Sequence, residues 1–121
     1  MIDYSRMRFT WYNNVYRIIS DYYDKKDIEP GRAYNNRAII ECFEITQSLP
    51  FGELRNRVLM LIFGLKLSVE DTATELDIDI SSVYRWRTDF IYLVAKRLGY
   101  SFDPADHVQI NNVDRETATG A

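Results

Sequence analysis

Residues 68–87 read SVEDTATELDIDISSVYRWR, and the way this stretch divides decides the fold. Ser68 is a favourable helix N-cap, and Glu70 and Asp71 fall in the first turn, where the helix dipole favours negative charge. A short helix from Val69 to Leu76 then turns Ala73 and Leu76 inward. Asp77 stands where a tight turn is needed, and Asp tolerates the left-handed backbone better than most residues. Ile78 is placed to plug the gap, and Asp79 to cap a second helix whose core positions are Val83 and Trp86. A small residue, a turn residue, a plug and two later core residues in this order fit a helix-turn-helix: two helices braced at a steep angle.

Working outward, nearly every apolar run repeats at three and four, so the fold class expected is all-α with about five helices. Before the motif, a helix over about 52–64 carries Leu54, Val58, Leu61, Ile62 and Leu65 on one face, with Gly64 placed to stop it in a left-handed turn. A helix over about 33–48 buries Ile39, Cys42 and Phe43 and ends before Pro50. The run DKKDIEPGR, residues 24–32, is a break, and a first helix is expected over about 3–24. Tyr4, Met7, Trp11, Val15, Ile18 and Tyr22 form one apolar stripe on it, and Phe9, Tyr12, Tyr16, Ile19 and Tyr23 a second. So wide an arc suits either a central helix wrapped by the others or a homo-oligomer surface. The organisation expected is an N-terminal helical segment over 1–50, the helix-turn-helix region over 51–103 and a flexible polar tail over 104–121.

Bulk properties narrow the function. At 121 residues with 46% hydrophobic side chains, the chain can bury a core without staples. The net charge of −3 lies wholly in the tail: residues 1–52 and 53–100 each carry seven basic and seven acidic groups, and residues 101–121 one against four. A local basic face is compatible with that balance, though general phosphate attraction is weak. A single cysteine, Cys42, excludes an internal disulfide and fits a reducing cytoplasm. No apolar stretch approaches the ~18 residues of a membrane span, so no membrane partner is expected. Catalysis finds little support, and no cofactor or metal is expected. The only histidine, His107, has no neighbouring cysteine or second histidine, and no glycine-rich phosphate loop is present.

On the second helix of the motif, residues 80–98, Val83, Trp86, Phe90 and Val94 share the core face, while Ser81, Arg85, Thr88 and Tyr92 lie opposite. If this helix enters a DNA major groove, its base-reading set is Ser81, Ser82, Tyr84, Arg85 and Thr88. Arg85 is foremost there, because a guanidinium pairs at two points with guanine. Arg55, Arg57 and Lys66 are candidate phosphate contacts, as is Arg87, expected to reach out from near the buried face. A solvated helix face explains such residues equally well when each is taken alone.

The run RNRVLMLIFGLKLSVEDTATELDIDISSVYRWRTDFIYLVAKRLGY, residues 55–100, resembles the C-terminal promoter-reading region of bacterial sigma factors. It is closer still to small phage transcriptional regulators of the ArpU/RinA type. Arg55, Arg57, Ala73, Leu76, Val83, Tyr84, Arg85 and the Leu98-Gly99 pair carry the resemblance, while Asp77 at the turn and the aromatic first helix depart from it. The resemblance implies sequence-specific binding of double-stranded DNA and late-gene control in a bacterial host cytoplasm. It also makes RNA polymerase a candidate partner. The alternatives are a packaging protein like a small terminase subunit, working as a ring, and a helical interaction module without DNA binding.

Overall fold

The computed structural model describes residues 7–24, 32–100, 102 and 107–109. Five helices are present among them: α1 (Tyr12–Asp24), α2 (Arg32–Gln47), α3 (Gly52–Leu59), α4 (Val69–Leu76) and α5 (Ile80–Arg97). A π-helical turn, Met60–Gly64, continues α3. The fold is all-α apart from one ribbon, in which β1 (Met7–Phe9) pairs antiparallel with β2 (His107–Gln109).

The ribbon corrects two expectations. The first helix, expected from about residue 3, begins only at Tyr12, and the polar tail expected over 104–121 carries a paired strand at 107–109. Met7, Phe9 and Trp11 fit a period of two as well as the helical period, and a run this short does not separate them. The stacking of Phe9 on Trp11 at 5.0 Å, with Phe102 at 5.1 Å and Tyr92 at 5.9 Å from Phe9, gathers both ends of the described chain into one aromatic cluster. Tyr92, expected on the outward side of the last helix, is therefore half-buried. Tyr4, and the tail outside 107–109, lie outside the described residues.

One core runs through all five helices. Val15 and Ile19 of α1, Ile39 and Cys42 of α2, Val58 and Leu59 of α3, and Val83, Ile91 and Val94 of α5 are fully buried in it. The wide aromatic arc of α1 is spent inside the molecule: Tyr16 packs 4.8 Å from Phe63, and Tyr22 and Tyr23 pack on Phe43 at 5.8 and 5.7 Å. These contacts are those of a central helix wrapped by the others.

The π turn shifts the facing of the residues within and after it. The Leu65 amide donates to the Met60 carbonyl at 3.0 Å, five residues back, so one extra residue enters the helix. Phe63 is thereby carried inward to 1% exposure, and Leu65, expected on the core face, stands 63% exposed. Gly64 does not supply a left-handed stop; that conformation falls on Lys66, at φ 60°. Gly64 is needed for room instead, since a Cβ there would come within 2.8 Å of Met60 Sδ and 3.2 Å of the Tyr23 ring.

Candidate functional site

The segment 68–87 divides as its sequence demands. Ser68 Oγ accepts the Asp71 amide at 3.0 Å and so caps α4. At the other end Asp77 adopts φ 54°, ψ 51°. The Asp77 amide then donates to the Thr74 carbonyl at 3.2 Å and the Ile78 amide to Ala73 at 3.0 Å. This paired closure of the last turn is one that glycine ordinarily makes. Ala73 is buried and Ile78 packs against the core, so a small residue and a plug sit at the joint between the helices. Asp79 starts α5 in an extended conformation, but its carboxylate accepts the Ser81 hydroxyl at 2.6 Å instead of capping a backbone amide. Val83, Trp86, Phe90 and Val94 are all buried, as the helical spacing requires.

On the opposite side of α5, Ser81 and Arg85 are exposed, and Ser82, Tyr84 and Thr88 are half-buried. Arg85 Nη2 donates to Ser82 Oγ at 3.3 Å, and among the described residues it has no ion-pair partner. These five side chains occupy the first three turns of one helix. Arg85 is the cation among them that is free to bind something else.

The four residues expected to hold phosphate are not brought together. Arg57 is exposed on α3 with no ion pair among the described residues. Arg55 is committed inward: its Nε donates to the Pro50 carbonyl at 2.9 Å, its Nη1 pairs with Asp89 at 3.3 Å, and its guanidinium lies 5.2 Å from the Trp86 ring centre. Lys66 turns toward α1, pairing with Asp24 at 3.0 Å and donating to Ser20 Oγ and the Phe63 carbonyl. Arg87, expected to reach outward, is 7% exposed and lies 5.4 Å from the Tyr84 ring centre, with its Nε unpartnered. The contact with Tyr84 holds the guanidinium within the fold, where the reach to a distant phosphate is lost.

One residue at the site escaped the sequence reading. Phe51, between α2 and α3, is 69% exposed at φ 60°, ψ 29°, with its ring stacked 6.0 Å from Trp86. Pro50, Phe51 and Gly52 read as punctuation between helices, and nothing local shows that the turn delivers a ring beside α5. Together with Leu54, Arg55, Ile78, Asp79, Ser82, Arg85 and Trp86, Pro50 and Phe51 line an open groove of about 420 Å³.

Among the described residues no group of three metal-capable side chains is found, and no helix is long and apolar enough to cross a membrane. Cys42, fully buried, has its thiol pushed up to about 11, chiefly by burial. No family model, curated protein or solved structure matches this chain.

Proposed function

We propose that this protein binds double-stranded DNA in a sequence-specific manner and acts as a transcriptional regulator, with α5 entering the major groove. The observation that carries the reading is the joint at Asp77–Ile78, which braces α5 on α4 while Ser81 and Arg85 are exposed and Ser82 is half-exposed on the first turns of α5. Arg85 reads a guanine edge, Ser81, Ser82 and Thr88 serve bases or phosphates, and Arg57, exposed on α3, is left as a cation for the backbone. With Arg55 and Arg87 engaged inside the fold, and Lys66 exposed but paired with Asp24, few phosphates are neutralised, so affinity depends only modestly on salt. Likeness to the ArpU/RinA regulators and to the promoter-reading region of sigma factors supports late-gene control in a phage-infected bacterium, with RNA polymerase as a further partner. Selection of bound sites from random duplexes at two salt concentrations tests the reading. A defined consensus, with affinity falling by a slope equivalent to about three phosphates or fewer, supports it. Recovery of random sequence alone refutes it.

A second reading is an assembly protein of the small-terminase kind, favoured by one observation. Ile45 and Leu49, at the C-terminal end of α2 and just beyond it, are 36% and 40% exposed and line, with Tyr92, Leu93 and Phe102, an open groove of about 650 Å³. A closed ring of many copies, measured by mass in solution, would favour this reading over a monomer or dimer.

A further inference from the structure

The Phe51 turn holds a conformation that a bulky side chain rarely adopts. Its φ of 60° costs an L-residue with a Cβ where glycine would be free. The turn is seated hard against α2, because a Cβ on Gly52 would overlap the Gln47 carbonyl at the end of that helix. The Arg55 amide bonded to the Phe51 carbonyl at 2.8 Å, and the Arg55 side chain bonded to Pro50, fix it from the other side. Strain of this kind is retained where the surroundings over-determine it and the side chain serves a purpose. Core packing is not that purpose, since two-thirds of the ring faces solvent. What the turn achieves is to stand an aromatic ring over Trp86, in the same groove as Ser82 and Arg85.

We propose that Phe51 reads thymine, packing its exposed ring against the C5-methyl group of a base next to the one addressed by Arg85. The inference rests on the DNA-binding reading above. In the major groove thymine alone presents a methyl group, and an aromatic side chain is one of the apolar surfaces that recognise it. The ring already lies on Trp86, with centres 6.0 Å apart and planes 28° from parallel, so no slot is open for a base to slide between them. Its free face is left for an edge or a methyl group. Asp79, the acid of the groove, is occupied by the Ser81 hydroxyl, and Arg85 supplies a donor for the neighbouring base.

Deoxyuridine in place of thymine removes the methyl group and nothing else. In a duplex obtained by the selection above, each thymine is replaced in turn and binding is measured for the wild-type protein and for Phe51→Gly. Glycine removes the ring and relieves the φ penalty, so the variant folds. Moreover, the thymine-to-uridine ratio within each protein is independent of its folded fraction. The expected result is about a fourfold loss for wild type at one position or two, as for one methyl group taken out of water, and no loss there for Phe51→Gly. A wild-type protein that binds its selected duplex yet is indifferent to every replacement overturns the proposal while leaving the DNA reading intact. Retention of the full methyl effect in Phe51→Gly does the same. Should no duplex be selected at all, the DNA reading fails and this proposal falls with it.

Discussion

The Arg55 guanidinium lies 5.2 Å from the centre of the Trp86 ring, clamped between the start of α3 and the middle of α5. Only 17% of the arginine side chain is exposed, and it also meets the Asp89 carboxylate and the Pro50 carbonyl. A partly desolvated cation over an indole is worth about 1–2 kcal/mol, more than the exposed ion pair with Asp89 contributes. Arg55→Ala should therefore lower stability by about 1–2 kcal/mol in chemical denaturation, and Arg55→Lys should recover less than half, because an ammonium cannot stack and donate as a fork together.

Asp89 is half exposed, so its loss should matter little to folding. Asp89→Asn should leave the melting temperature nearly unchanged while raising affinity for DNA, since it removes a negative charge from beside α5 and frees Arg55 for phosphate. Equal affinity of the two proteins in a fluorescence titration would count against any approach of DNA to this side of α5.

Asp77 holds a left-handed conformation at the end of α4, where glycine carries no steric penalty. Asp77→Gly should raise stability by about 1 kcal/mol, the relief of left-handed strain exceeding the extra chain entropy that glycine brings. Asp77→Val, β-branched at the same angles, should lower it by a similar amount or more. Paired urea melts check both, and a destabilised glycine variant would mean that the Asp77 side chain itself holds the turn.

The parts of this architecture that were legible in the sequence are those that local chemistry fixes. Ser68, Asp77 and Ile78 act within five residues of their partners, so the α4 cap, the turn and the plug could be read in order. The illegible parts depend on distant neighbours. Arg55 and Asp89 are 34 residues apart, and nothing near Arg55 reveals that it will be drawn inward. Lys66 meets Ser20, 46 residues away, and its ammonium is engaged there although the side chain stays half exposed. The π turn is hidden for a related reason. An extra residue in a helix leaves the apolar pattern of Met60–Leu65 intact and shifts only which members of it face the core, so Phe63 and Leu65 exchange roles.

Alkali should unfold the protein earlier than its exposed groups alone would dictate. Burial raises the Cys42 thiol from 9.0 to about 11, with Arg97 lowering and Glu41 raising it by smaller amounts, and burial also drives Tyr23 far above 10.0. A folded-state pKa above the unfolded value means that the unfolded chain releases its proton first. Stability is thus fully present below pH 9 and is lost as pH rises toward 11, with the tyrosine adding to the loss above 10. Urea midpoints at pH 8, 9, 10 and 11 should fall in that order. Cys42→Ala should flatten the first part of the decline, and the thiol should resist alkylation at pH 8 until the chain unfolds.

Arg85 and Trp86 are neighbours in sequence, one exposed and one buried, and they separate binding from folding. Arg85 is exposed and, among the described residues, bonded only to Ser82 Oγ at 3.3 Å, so Arg85→Ala should leave the melting temperature nearly unchanged. It should cost about 1–3 kcal/mol of discrimination between the selected duplex and one altered at the guanine it reads. Trp86 is 7% exposed and in contact with Phe51 and Arg55, so Trp86→Ala should cost about 3–5 kcal/mol of stability. Binding should weaken in that variant only in proportion to the unfolded fraction and to the loss of the Phe51 support. The decisive comparison is the ratio of affinities for the two duplexes, measured well below each variant's melting temperature. If Arg85→Ala leaves that ratio intact, α5 does not read bases through Arg85, whatever its affinity for DNA in general.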